Sequence, residues 1–319
     1  MFSFYEERIR KLTDWKNYSQ AIEEAHALIA SDPEEARSYS LLARIYADKE
    51  DFPAAVHFSK EALRKDPEDF TGHLILVMAL FNIGEWKAFD AAAESALHLY
   101  PDTAHLYYLK ALRALQKNKW KNALGLMEIA LVHETEDATY LAAYSNLLLL
   151  AGKKKKSKEY EQMALKSNED NPYVYYTLAN TAFNRGDFKQ ARELSRSAAE
   201  IDPEDQDYRE QYLDMLKTEY AVHRYLLRIL QTHSFIRRKA GILFWPAFLF
   251  FFIVFNPLFW LYLIVILVPY YISHFTAGKL VSRKLGYRKS KPEISRGKAV
   301  AAAMFAALVL TGLFAAIFR

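Results

Sequence analysis

Proline recurs every 34 residues early in the chain, at Pro33, Pro67 and Pro101, and the same register lands on Thr135, Glu169 and finally Pro203. Six registers fit without an insertion. A fixed period of this length marks stacked supersecondary units, none of which can bury its apolar face alone. With the proline slot taken as position 32, position 20 holds Ala21, Ala55, Phe89, Ala123, Ser157 and Ala191, and position 27 holds Leu28, Ala62, Ala96, Ala130, Ala164 and Ala198. Large residues recur opposite these small ones: position 17 reads Tyr18, Phe52, Trp86, Trp120, Lys154 and Phe188, and position 4 reads Tyr5, Tyr39, His73, Tyr107, Leu141 and Tyr175. Small residues let helix backbones approach while aromatics from neighbouring helices fill the space beside them, so each repeat is expected to be a pair of antiparallel helices.

The turn chemistry agrees. Gly84, Gly152 and Gly186 fall at position 15, where a first helix would end, and Asp-Pro at 32–33, 66–67 and 202–203 stops the second helix. Beyond residue 205 the period fails, but Leu213, Leu216, Tyr220, His223, Leu227 and Leu230 keep a three-four spacing. That spacing predicts one amphipathic helix over 205–234, which covers the open end of the array and links it to the C-terminal part of the chain.

The repeats resemble the tetratricopeptide-repeat family over residues 2–204. Repeat 2 (Tyr39, Leu42, Ala43, Tyr46, Ala55, Ala62, Pro67) and repeat 6 (Tyr175, Leu178, Ala179, Ala182, Ala191, Ala198, Pro203) carry the likeness best, whereas repeat 5 departs at Lys154 and Ser157. The resemblance implies an all-α fold, a right-handed α-solenoid of six helix-turn-helix repeats whose concave face binds peptides or helices. In the family that face is lined by first-helix positions such as 2, 5, 9, 12 and 13. Here those positions yield Leu74, Met78 and Phe81, then Tyr108, Leu112 and Leu115, then Asn146 and Leu149, and finally Tyr176, Asn180, Phe183 and Asn184. The expected channel is apolar in its middle and amide-bearing towards its end. Asn146 and Asn180 occupy equivalent positions, and an amide donates to and accepts from a peptide backbone at once. The family's chaperone-tail clamp needs a basic residue at position 5, and none of Glu6, Ser40, Leu74, Tyr108, Ala142 and Tyr176 supplies one.

Charge divides the chain into two objects. Before residue 235 there are 30 Lys/Arg and 37 Asp/Glu; after it there are 12 Lys/Arg and a single acid, Glu293. An acidic soluble part joined to a basic, apolar part is the pattern of a domain tethered to an anionic surface, and it argues against nucleic-acid binding by the repeats. Residues 241–273 carry no charge and include Phe248 and Phe250–Phe252, which places them in lipid. Asn256-Pro257 divides the stretch, so 235–275 is either an apolar hairpin or one kinked span. The hairpin puts both basic flanks on the cytoplasmic side, as the positive-inside rule requires. Residues 276–298 then form a basic cytoplasmic loop, and 299–318 a transmembrane helix rich in alanine. Arg237, Arg238, Lys239, Lys279, Arg283, Lys284, Arg288 and Lys289 are the cations expected to meet anionic lipid headgroups.

Chemistry of other kinds is not signalled. There is no cysteine, so thiolate nucleophiles and Cys-ligated metals are excluded. No phosphate loop, dinucleotide fingerprint, HExxH helix or nucleophile elbow is present. The nine histidines include no pair three or four apart, so neither a metal nor a cofactor is expected. The expected protein is a non-catalytic membrane-anchored adaptor that binds a partner peptide or helix in its groove, with lipid as its other contact and no small-molecule substrate. Its repeats would sit in the cytoplasm, at a bacterial inner membrane. The alternative is a membrane-biogenesis or membrane-shaping factor acting through the basic hairpin, with the repeats as its targeting domain.

Overall fold

The computed structural model describes residues 2–228 apart from 169, 222 and 226. The expected hairpin at 235–275, basic loop at 276–298, span at 299–318 and their eight lipid-facing cations lie outside the described residues. Among the described residues, no helix is long and apolar enough to cross a membrane.

Thirteen α-helices follow one another among those residues. They are α1 (Phe2–Asp14), α2 (Tyr18–Ser31), α3 (Ala36–Asp48), α4 (Phe52–Lys65), α5 (Phe70–Ile83), α6 (Trp86–Leu99), α7 (Ala104–Gln116), α8 (Trp120–His133), α9 (Ala138–Leu150), α10 (Lys154–Ser167), α11 (Pro172–Arg185), α12 (Phe188–Ile201) and α13 (Gln206–Leu216). No strand occurs among the described residues. The chain divides into two compact units, the first ending at Asn168 with α1–α10, the second starting at Glu169 and holding α11–α13.

Local sequence sets the helix ends. Acidic and amide side chains cap N-termini: Asp51 accepts from the Ala54 N–H, Asp69 from Gly72, Asp137 from Tyr140, Asn171 from Tyr173 and Asp187 from Gln190. Every first helix ends on a left-handed residue: Lys16, Glu50, Gly84, Asn118, Gly152 and Gly186 all have φ between 57° and 89°. The glycines were expected there. The same conformation at Lys16, Glu50 and Asn118 shows that the turn is imposed by packing of the helix pair, since only glycine adopts it without steric cost.

In the first unit, paired helices meet through the small residues of the register. Ala21, Ala55, Ala123 and Ser157 at position 20, and Ala62, Ala96, Ala130 and Ala164 at position 27, are all 0% exposed. Phe89 occupies the position-20 slot of the third repeat and is also fully buried, edge-on to Phe81 and Trp86 with ring centroids 5.6 and 6.5 Å away. Position 8 is equally buried at Ile9, Ala43, Val77, Ala111 and Ser145. Repeat 5 departs from the pattern with two serines, and they satisfy each other's surroundings: the Ser145 hydroxyl donates to the Ser157 carbonyl at 2.8 Å. A buried hydroxyl with a partner costs little, so the departure leaves α9 and α10 closely packed.

Position 4 explains why proline and an aromatic recur together. The Tyr39 hydroxyl donates to the Pro33 carbonyl at 3.1 Å, and His73 Nε2 meets the Pro67 carbonyl at 2.9 Å. Each bond satisfies a carbonyl in the turn between repeats, a place where proline has removed the usual helix partners.

In the second unit, the single helix expected over 205–234 is interrupted. Helix α13 ends at Leu216, residues Lys217–Glu219 make one tighter turn, Tyr220 is extended with φ −84° and ψ 127°, and helical residues resume at 221. Thr218 makes the break. Its buried hydroxyl donates back to the Met215 carbonyl at 2.6 Å and accepts from Arg192 Nη1 at 2.8 Å, tying the bend to α12. Arg224 Nη1 then donates to the Thr218 and Glu219 carbonyls, at 2.9 and 2.7 Å, across the break. A three-four spacing of apolar residues runs through a bend of this kind unchanged, which is why it predicted one helix.

Candidate functional site

In the first unit, the side chains expected on the inner wall come from α5, α7 and α9. Leu74, Met78 and Phe81 follow one another at i, i+4 and i+7 on α5, and Leu112 and Leu115 continue the surface on α7. All five are half-buried and rest on a core that includes Val77, Leu80, Leu109 and Ala111. Phe81 is held by Trp86 at 5.7 Å, and the Arg113 guanidinium lies over that indole, 3.9 Å from its centroid. Leu149 and Asn146 are half-buried on α9. Asn146 Oδ1 is buried and has no hydrogen-bond partner among the described residues.

Tyr108 departs from the expected lining. It is only 5% exposed, and its ring lies 5.1 Å from that of Tyr140, so it belongs to the wall's support more than to its surface. A large ring at a groove position reaches across to the next first helix and is covered by it. His105, one turn earlier on α7 and not singled out from the sequence, meets the Tyr140 hydroxyl through Nδ1 at 3.2 Å. Burial pushes its pKa down against the opposing pull of Asp137, and its Nε2 is buried with no hydrogen-bond partner among the described residues.

In the second unit, Tyr176, Asn180 and Phe183 on α11 face α13 across a cavity of about 510 Å³. Asn184 is exposed beside them. The opposite wall is one the repeat register did not reveal: Asp207, Glu210, Gln211, Asp214 and Met215 on α13, followed by Lys217, His223 and Leu227. Asp207, Glu210, Gln211 and Asp214 stand at i, i+3, i+4 and i+7, so one polar stripe of the helix supplies them all. That spacing is visible in the sequence, but the apolar stripe of the same helix overshadows it. Gln211 Nε2 donates to the Tyr176 carbonyl at 3.0 Å, and the Tyr208 ring lies 5.5 Å from that of Tyr176, so α13 is joined to α11 beside the cavity. Burial and the carboxylates of Asp205 and Asp202 push the Tyr208 hydroxyl up to about 12. Burial lowers His223, helped by Lys217 and opposed by Asp214. Asn146 and Asn180 fall in different compact units, and each has the setting given above. The lysines of the 153–158 run are all exposed at the start of α10. No group of three His, Asp or Glu among the described residues is placed to hold a metal ion.

Tetratricopeptide-repeat family models match residues 16–70 and 172–205. The chain carries tetratricopeptide repeats. Known structures agree at the level of fold. Pseudomonas aeruginosa pilF is similar with a TM-score of 0.52 and 17% identity, over 65% of this chain and 95% of that one. The APC/C assembly Cut9–Hcn1 gives 0.59 at 12% identity, covering 72% of this chain and 46% of that one. A tetratricopeptide repeat protein from Parabacteroides merdae gives 0.57 at 8% identity, over 67% and 84%. No curated protein matches the sequence. Identities this low show the shared all-helical solenoid and nothing finer. The repeats suggest a protein–protein interaction scaffold, and the family in general is not enzymatic.

Proposed function

We propose that this tetratricopeptide-repeat protein is a non-catalytic adaptor, held at the cytoplasmic face of a membrane by its apolar C-terminal stretch, whose groove receives an apolar helix or peptide of a partner protein. The observation that carries the reading is that Leu74, Met78, Phe81, Leu112 and Leu115 on α5 and α7 are all half-buried apolar side chains resting on one core. These side chains keep part of their surface in water although the first unit already has a complete core, and apolar area left open on one face is worth about 25 cal/mol per Å² to whatever covers it. The half-buried Asn146 on α9 would supply a polar contact that fixes a ligand's orientation. The membrane part of the reading rests on the uncharged stretch 241–273 and on the 12 Lys/Arg that flank and follow it.

The test is partner recovery from native membrane. Full-length protein carrying Met78→Glu and Leu112→Glu is expected to retain its helicity and its membrane fraction but to lose the proteins that co-purify with the unaltered chain. Recovery that persists in this variant, together with a phenotype abolished only by deletion of residues 241–273, would transfer the activity to the basic hairpin and make the repeats a targeting domain.

A further inference from the structure

The acidic stripe of α13 lies outside the repeat pattern, and an apolar groove ligand gives it no role. The cavity it shares with α11 has an apolar floor of Tyr176, Phe183, Met215 and Leu227, and its charged lining is Asp207, Glu210 and Asp214 against Lys217. Asp214 already pairs with Lys217, and Glu210 accepts from Gln206 at 2.8 Å. Gln211 stands among them, 8% exposed. Its amide orientation is fixed by the bond from Nε2 to the Tyr176 carbonyl, and its Oε1 is buried with no hydrogen-bond partner among the described residues. A buried acceptor is expensive to leave without a donor, and three carboxylates beside one lysine, which pairs with Asp214, keep a net negative charge. What fits is a side chain that brings N–H donors and positive charge on an aliphatic stem, the stem lying on the rings and the head among the carboxylates. That description is met by lysine and arginine.

We infer that this cavity is a seat for cationic side chains and that its occupant is the chain's own basic segment, residues 276–298. Charge complementarity selects the occupant. That segment carries Lys279, Arg283, Lys284, Arg288, Lys289, Lys291, Arg296 and Lys298 against Glu293 alone, whereas the chain before residue 235 has a surplus of acids. The other dense lysine run, at 153–158, lies exposed at the start of α10 in the first unit. The cavity wall reaches Leu227, from which the chain continues towards the basic part. The assignment rests on the hairpin arrangement of the membrane stretch, which returns residues 276–298 to the side on which the repeats lie.

A carbodiimide tests the contact directly, because it joins a carboxylate to an amine by an amide bond only when the two touch. Full-length protein is reconstituted in phosphatidylcholine vesicles, which offer no anionic headgroups to compete, then treated, digested and analysed by mass spectrometry. Expected are links from Asp207, Glu210 or Asp214 to Lys279, Lys284, Lys289, Lys291 or Lys298. They should lie within one chain when isotope-labelled and unlabelled protein are mixed, and fall several-fold at high salt. Asp207→Asn with Glu210→Gln should reduce the remaining links to Asp214 several-fold, and so should Arg283→Gln with Arg288→Gln, which leaves the repeat fold untouched. Links confined to Asp214 and Lys217, links between labelled and unlabelled chains, or links indifferent to both pairs of substitutions would overturn the assignment. An impermeant amine reagent added to the sealed vesicles separates the two premises. If the segment's lysines label on the opposite side from Lys60, the hairpin itself fails and the seat loses its occupant. Labelling on the same side without links overturns the seat alone. Neither result bears on recovery of a groove partner.

Discussion

Lys16, Glu50 and Asn118 hold the left-handed conformation that Gly84, Gly152 and Gly186 hold in the other repeats. Asparagine visits that region with little penalty, but a glutamate there costs about 1–2 kcal/mol of steric strain. Glu50→Gly should therefore raise stability by up to ~1 kcal/mol after glycine's own entropic cost, read as a higher denaturation midpoint; an unchanged or lower midpoint would show that the turn is relaxed with its native residue. A second residue-scale prediction concerns pH. Tyr208 has its pKa raised to about 12 from an ordinary value of 10.0, so the folded state holds the proton after the unfolded chain has lost it. Its contribution is complete below pH ~10 and is lost as pH rises through about 12. A tyrosinate absorbance titration should lose one late-ionising group in Tyr208→Phe, while Tyr140 and Tyr144, which burial also raises, stay late. An unchanged number of late groups after the substitution contradicts the assignment. At this scale the small residues at positions 20 and 27 were legible because packing demands them directly, as were the three glycines. The turn residues without glycine were not, because side-chain identity does not report a conformation that tertiary packing enforces.

Helices α1–α12 follow the period, since apolar spacing, capping acids and proline all mark the same boundaries. Helix α13 shows where such agreement ends. Its apolar stripe runs on through residue 230, but the Thr218 hydroxyl and the Arg224 guanidinium bind backbone carbonyls across a bend, and both bonds depend on neighbours that a local pattern does not include. Removing the hydroxyl should cost about 1–2 kcal/mol, because it also strands the Arg192 donor. Thr218→Ala is thus expected to accelerate amide hydrogen exchange over residues 215–221 without affecting α1–α10. Exchange left unchanged there would mean that Arg224 alone maintains the bend. The inner wall followed a similar course. The aliphatic lining on α5 and α7 could be read from position alone, but Tyr108 turned out to be covered by Tyr140, and the acidic wall on α13 emerged only from the packing of that helix against α11.

For the molecule as a whole, the account joins an acidic repeat array to a basic, apolar C-terminal part and assigns partner binding to the inner wall of the first unit. The sequence carries the charge division openly, but the identity of a groove ligand is not a local property, since five similar apolar side chains accept many surfaces of comparable shape. The claim about the wall is tested most directly by a photocrosslinking amino acid placed at Leu112, with the same group at exposed Lys87 on α6 as the control. The account predicts a discrete adduct from position 112 in native membrane, absent from position 87 and lost when Met78→Glu is added. Equal adducts from both positions, or none from position 112 while the chain still performs its cellular role, would contradict it.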